Sequence, residues 1–192
     1  MRRKTNFLSG RPHRFAVLLF SLVFLSLVST AWARNWQVYF SPGGGATEAI
    51  VQALGQAQKS VYVQAYSFTS PPIAKALTQA HGRGVTMGVI LDKSNATDKY
   101  SVADFLVQAG IPTFIDSARG IAHNKVMVID EHLVITGSFN FTRAAERDNA
   151  ENLLVIDDAE LAARYLENWR LHAEHSQIYL GKDRSQGGRK SY

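Results

Sequence analysis

His123-Asn124-Lys125-Val126-Met127-Val128-Ile129-Asp130-Glu131-His132-Leu133-Val134-Ile135-Thr136-Gly137-Ser138-Phe139-Asn140 is the stretch whose reading decides the fold. Two apolar, β-branched runs, Lys125 to Ile129 and Leu133 to Thr136, flank the polar turn Asp130-Glu131-His132. That pattern predicts two antiparallel strands joined as a hairpin. Strand side chains alternate between faces. His123 and Lys125, two apart, therefore point the same way, and so do Ser138 and Asn140. Pairing the strands brings their far ends together and gathers these four residues at one sheet edge. Asp130, five beyond Lys125, falls on the other face or on the turn.

Working outward, the chain alternates strand and helix patterns. Gln37 to Phe40 reads as a strand, ended by Ser41-Pro42-Gly43-Gly44-Gly45. A helix follows from Thr47, with Ala49, Ile50, Ala53, Leu54 and Ala57 at helical spacing. Ser60 to Phe68 is rich in β-branched and aromatic residues and reads as a strand. Pro71-Pro72 suits the first turn of a helix running to about Ala80. Val85 to Leu91 is nearly continuous apolar sequence, as in a buried central strand. Asp98 or Ser101 opens a helix through Ala109, and Pro112 to Ile115 is a short strand. Beyond the hairpin, Leu153 to Ile156 is a strand, and Asp158 caps a last helix with Leu161, Ala162, Tyr165, Leu166 and Trp169 on its apolar side. The expected fold class is α/β: a mixed β-sheet flanked by helices on both faces, in one domain.

Glu151 precedes a strand that can reach the same edge as His123 and Lys125. The cluster would then hold an imidazole, an ammonium, an amide (Asn140), a hydroxyl (Ser138) and a carboxylate. Such a set suits a phosphodiester, whose phosphoryl oxygens need positive charge and hydrogen-bond donors. His123 can act as nucleophile or base, and Glu151 is the carboxylate that would orient it. No second histidine or acid stands beside His123 at ligand spacing, so neither a metal nor a cofactor is expected there. His172 and His175 lie three apart on the last helix, a spacing that permits metal binding, but two histidines without a third ligand are read as no site. Gly43-Gly44-Gly45 lacks a Walker lysine and is read as a turn. Tyr62, Tyr66 and Phe68 alternate along one run and are read as core, with base stacking as the other possibility.

His123-x-Lys125-x4-Asp130, followed by Gly137-Ser138-x-Asn140 and Glu151-Asn152, resembles the HKD motif of the phospholipase D superfamily. Length and the single motif copy are similar to its small bacterial endonuclease branch, the Nuc type, from about Val38 to Trp169. The resemblance implies that His123 forms a covalent phosphohistidine, that Lys125 and Asn140 hold the phosphate, and that Glu151 partners His123. It implies a structural role for Asp130. It also implies a second histidine, which protonates the leaving oxygen. One motif per chain then calls for a homodimer with the active site at the interface.

The first 33 residues read as a secretory signal: five bases and no acid in Met1 to Arg14, an apolar run of 14 residues from Phe15 to Val28, and Ala31-Trp32-Ala33 at the cut. The run is short for a span of ~20 residues. An uncleaved anchor is the alternative. A periplasmic or secreted location without stable membrane insertion is expected. The net charge of +5 leaves with this segment, because the other 159 residues balance 16 bases against 16 acids. Overall basicity is therefore no argument for nucleic-acid binding. Residues 34–180 are expected to form the catalytic domain, and 181–192 a basic disordered tail. The chain has no cysteine, which excludes disulfides and thiolate metal sites. The expected function is a metal-independent phosphodiesterase, with DNA as favoured substrate and RNA also considered. A phospholipase D or cardiolipin hydrolase acting on phospholipid is the enzymatic alternative. A non-catalytic nucleic-acid-binding protein is the alternative of another class.

Overall fold

The structure, a computed structural model, describes residues 35–182. The signal segment 1–33 and all but the first two residues of the basic tail lie outside the described residues. Eight strands form one mixed sheet in the order β1-β7-β6-β5-β2-β3-β4-β8. They are β1 (Trp36–Ser41), β2 (Ser60–Ala65), β3 (Thr86–Asp92), β4 (Thr113–Asp116), β5 (Lys125–Ile129), β6 (Leu133–Gly137), β7 (Glu151–Asp157) and β8 (Gln177–Ile178). The helices are α1 (Ala46–Gln56), α2 (Pro71–Gly82), α3 (Ala103–Gln108), α4 (Arg143–Arg147) and α5 (Ala159–His175). The mixed sheet with helices on both faces is the architecture expected from the pattern. β2, β3 and β4 run parallel through helical crossovers, whereas β5, β6 and β7 pair antiparallel.

Strand alternation sorts the apolar side chains between two cores. Val61, Val63, Met127 and Ile129 join Ile50, Leu54, Ile73 and Leu77 of α1 and α2 in the larger one. Tyr62, Val126, Val128 and Val134 pack on the other face against Ala162, Leu166 and Tyr165 of α5. The start of α5 is capped as its sequence suggests, the Asp158 carboxylate accepting from the Leu161 N–H at 3.0 Å. Trp169 of α5 donates from its indole nitrogen to the Val63 carbonyl at 3.0 Å and lies tilted on Tyr62. Its ring passes directly over Gly88, where a Cβ would stand 2.6 Å from the indole. Only a residue without a side chain fits there.

Three features depart from the sequence expectations. The helical turn α4 and the two-residue strand β8 are additional elements. The first has five residues and no apolar period to announce it, and the second is shorter than any pattern. The run from Ser60 ends as a strand at Ala65, and the aromatics divide: Tyr62 packs on α5, Phe68 is fully buried, and Tyr66 leaves the core. Lys182 is tied by its N–H to Asp104 Oδ1 at 2.9 Å, so the folded chain runs past residue 180. Among the described residues, no helix is long and apolar enough to cross a membrane.

At the far edge, α5 ends against β4. The His172 Nδ1 and His175 Nε2 groups both donate to Asp116 Oδ2, at 2.7 and 3.3 Å. Burial alone would raise the Asp116 carboxyl, but these two bonds and the Ala118 N–H hold it below its ordinary value. The third group missing from the two-histidine reading is therefore present, 56 residues before His172.

Gly88→Val forces the Trp169 ring off the sheet. It should cost about 1–3 kcal/mol, the usual penalty of overpacking a filled core. Chemical denaturation checks this. An unchanged midpoint would mean that the indole yields freely.

Candidate active site

The site lies at the end of the sheet where β5 begins and β6 ends. The β5–β6 register pairs Met127 with Ile135 and Ile129 with Leu133, as the hairpin reading requires. β7 then lies beside β6, with Gly137 opposite Leu153. A cleft of about 340 Å³ is lined by His123, Lys125, Gly137, Ser138, Asn140 and Glu151. The five side chains gathered by sequence reasoning thus line one cleft, although they come from three separate stretches of the chain.

Backbone hydrogen bonds explain how His123 is held. The residue before it donates: the Ala122 N–H reaches Asp92 Oδ2 at 2.8 Å. The residue after it accepts: the Tyr66 N–H reaches the Asn124 carbonyl at 2.7 Å. Asp92 is only 2 % exposed and also accepts from the N–H and hydroxyl of Ser94. Burial would raise its carboxyl, but the bonds from Ser94 and Ala122 hold it below the ordinary range. The buried Asn95 in turn donates to the Tyr66 carbonyl at 2.7 Å and accepts from the Phe68 N–H at 3.3 Å. Asp92 and Asn95 position the loop that carries His123, and the sequence reading singles out neither. The only local signal is the Asp-x-Ser turn after an apolar strand.

Tyr66, read from the sequence as core, lies instead at the cleft. Its ring centroid lies 4.5 Å from that of the His123 imidazole, and the Lys125 ammonium stands 5.1 Å above the ring. It packs against this pair rather than in the core. Lys125 is 7 % exposed, and its Nζ donates to the His123 carbonyl at 3.0 Å. Burial lowers the proton affinity of this ammonium, and the Glu151 charge offsets only part of that, so its pKa lies below the ordinary lysine value.

Across the cleft, alternation again aims the side chains. Phe139 and Phe141 are fully buried, which turns the alternate residues Ser138 and Asn140 toward the cleft. Ser138 Oγ accepts from the Asn152 N–H at 3.0 Å, so its hydroxyl ties β6 to β7. The buried Oδ1 of Asn140 makes no hydrogen bond within the protein. Glu151 Oε1 accepts from the Asn149 side chain at 3.2 Å. Glu151 acts on Lys125 through its charge, and within this chain it is not hydrogen-bonded to His123. Asp130 is outside the cleft. In a left-handed turn position (φ 53°), it accepts from the N–H groups of Gln58, Lys59 and Ser60 at 2.7–3.2 Å. This is the placement that strand parity suggests.

A family model described as the phospholipase D-like domain of cardiolipin synthase matches residues 50–170. The chain belongs to the phospholipase D-like family. It is 49 % identical over 136 residues to a phospholipase D of Rickettsia typhi, covering 71 % of this chain and 67 % of that protein. It is 33 % identical to the mitochondrial cardiolipin hydrolase of Mus musculus, covering 62 % of this chain and 54 % of that one. The crystal structure of Nuc from Salmonella typhimurium, a phospholipase D family member, superposes with a TM-score of 0.72. It is 40 % identical and covers 75 % of this chain and 97 % of that one. Membership makes the protein a phosphodiester hydrolase of the phospholipase D superfamily, and it accounts for the polar cleft at the sheet end.

Asp130→Asn keeps the shape but removes the charge on which three N–H groups converge. It should destabilise by about 1–3 kcal/mol. Because the folded carboxyl titrates below its ordinary value, this contribution is complete above the ordinary Asp range and is lost as pH falls through the lowered folded value. Denaturation at neutral pH should therefore separate the two proteins, and the gap should close as the solution is made strongly acidic. A gap that is constant with pH would remove the carboxylate from the argument.

Proposed function

We propose that the protein is an endonuclease that cleaves DNA, and accepts RNA, through a phosphohistidine on His123 in a two-fold homodimer. The observation that carries this reading is the half-complete cleft. One chain supplies one imidazole, one buried ammonium and one amide, but general acid–base chemistry at a phosphodiester needs a nucleophile and a separate proton donor. The imidazole nitrogen of His123 attacks phosphorus. The bond from phosphorus to the leaving oxygen breaks as His123 of the partner subunit gives that oxygen its proton. Water, deprotonated by the same partner histidine, then attacks the phosphohistidine and returns His123 to its neutral form. Lys125 and Asn140 of both chains hold the phosphate oxygens, and Glu151 favours the charged histidine.

Two features support the dimer. The cleft opens at the end of the sheet, where a second copy can face it. Beside it, Phe40 is 65 % exposed opposite Asn152, the neighbour of Glu151, and Val38 follows on the same face. Exposed apolar side chains next to a polar cleft suit a covered surface. DNA is favoured by the resemblance to the Nuc type and by a cleft lined with polar groups. Cardiolipin or another phospholipid is the second reading, favoured by the identity to the rickettsial and murine relatives. Secretion into the periplasm or beyond, after cleavage of residues 1–33, belongs to the same proposal.

The discriminating experiment incubates purified protein with supercoiled plasmid and with cardiolipin vesicles, both in EDTA. Nicked and linear plasmid without released phosphatidic acid is the expected result, and His123→Ala should abolish it by at least about a thousandfold. Intact plasmid beside phosphatidic acid would replace the nuclease reading with the lipid one. Strict dependence on Mg²⁺ would contradict the phosphohistidine route. Sedimentation should show an active dimer, and an active monomer would sink the shared site.

Burial sets the Lys125 ammonium below the ordinary lysine value, and the Glu151 charge opposes this in part. NMR titration of carbon-13-labelled lysine should therefore find the Lys125 midpoint below the ~10.4 of free lysine. Glu151→Gln removes the charge that raises Lys125 and should move its midpoint lower still. A midpoint unchanged by this substitution would detach Glu151 from the ammonium.

A further inference from the structure

A second group of chemistry-bearing side chains lies away from the cleft. Asp116 ends β4, and His172 and His175 occupy the last turn of α5. Both imidazoles converge on the same carboxylate oxygen, Oδ2, at 2.7 and 3.3 Å. The other oxygen, Oδ1, accepts from the Ala118 N–H at 3.1 Å, which fixes the carboxylate plane. One potential ligand atom from each residue lies within 4.8 Å of the other two. Asp116 has no exposed side-chain surface, whereas His172 and His175 are 18 % and 28 % exposed, so the cluster is anchored within and open to water on one side.

We propose that Asp116, His172 and His175 form a binding site for a divalent transition metal of the zinc class. The dimensions suit it. Zinc bonds of about 2.0–2.2 Å at tetrahedral angles separate neighbouring donors by roughly 3.3 Å. The carboxylate-to-His175 distance already has this value. The His172 distance needs to open by about half an ångström, a small rotation of an imidazole that is partly exposed. His172 then offers the Nδ1 lone pair with its proton on Nε2, and His175 offers Nε2 with its proton on Nδ1. Water fills the fourth position from the open side. The Ala118 N–H supplies the outer bond that orients the ligating carboxylate.

The donor set decides the class of ion. Two imidazoles and one carboxylate favour zinc, cobalt or nickel, while magnesium and calcium seek oxygen ligands. The location adds a favourable field, because the C-terminal turn of a helix carries partial negative charge. The ion would join the end of α5 to β4 just before β8, which pairs Gln177 with Ile115 and Ile178 with Phe114. Three strand spacings of about 4.8 Å separate β4 from β5, so the site is too far from Lys125 to touch the reacting phosphate. Strand alternation also puts Lys125 on the opposite face. The ion is structural, and it is compatible with a hydrolysis step that needs none.

The test uses untagged protein. After EDTA treatment and dialysis, equilibrium dialysis against zinc or magnesium is followed by elemental analysis. One zinc per chain and no magnesium is expected. Saturating zinc should raise the melting temperature by on the order of 5 °C at a hundredfold excess over Kd. Cobalt in place of zinc should give the strong visible bands of a four-coordinate ion. His172→Gln, His175→Gln and Asp116→Asn should each lose the bound zinc and the cobalt bands. His81→Gln, at a histidine outside the cluster, should keep both. Circular dichroism identifies any variant that unfolds, and cobalt spectra of wild type do not depend on the variants. Zinc uptake equal in wild type and His175→Gln, or cobalt spectra of the six-coordinate aqueous type, would overturn the site.

Discussion

The closeness of two backbones at Gly137 is the constraint on which the cleft end of the sheet depends. A Cβ at this residue would stand 2.3 Å from the Asn152 carbonyl oxygen, and its φ of 146° belongs to glycine. Without a side chain in the way, the N–H groups of Ser138 and Phe139 both reach that oxygen at 3.1 Å. The Ser138 hydroxyl closes the same junction from the other side. β6 and β7 are thereby locked at the point where the chain leaves the sheet, and the following residues inherit a fixed orientation. Phe139 and Phe141 take the inward positions, and Asn140 has no direction left but the cleft. The glycine and serine of the motif thus serve geometry, which leaves the asparagine free for chemistry.

Legibility in the sequence follows the range of each interaction. His123, Lys125, Ser138 and Asn140 are readable together because strand parity and one hairpin register relate them, and both are local rules. Asp130 falls outside the cleft for the same reason. Asp92 and Asn95 escape such a reading, since what they grip lies 27 to 30 residues away and their own neighbourhood reads as an ordinary turn. Tyr66 reads as core only if the strand continues to Phe68. It stops at Ala65, which frees the next ring to lie under the imidazole. His172 and His175 are visible as a spaced pair, but the carboxylate that meets them comes from a distant strand, and no spacing rule reaches it. Glu151 is brought to the right cleft by β7, yet its first effect in a single chain falls on Lys125.

Lys125 shows how such a cleft is prepared for an anion. The ammonium is buried against a carbonyl and the face of Tyr66, with Glu151 as the nearby negative charge. Removing it from water weakens its hold on the proton, and the carboxylate only partly compensates. A phosphodiester entering the cleft brings the missing negative charge and restores the preference for the charged form. The cost of burying the ammonium is borne in the folded protein, before substrate arrives. Donors that need no reorganisation during reaction are the most effective electrostatic catalysts.

The same reasoning bears on the histidines of the proposed dimer. Two-fold symmetry makes the two His123 side chains chemically identical, yet one must attack as a neutral base while the other donates a proton. Neither residue can be assigned its role by its own surroundings. A phosphodiester bound between them resolves this, because its two ends differ. Which histidine attacks is then decided by the leaving oxygen of the bound phosphodiester, because that end of the substrate needs the proton. In such a dimer the symmetry would be broken by the direction of the phosphodiester bound between its halves.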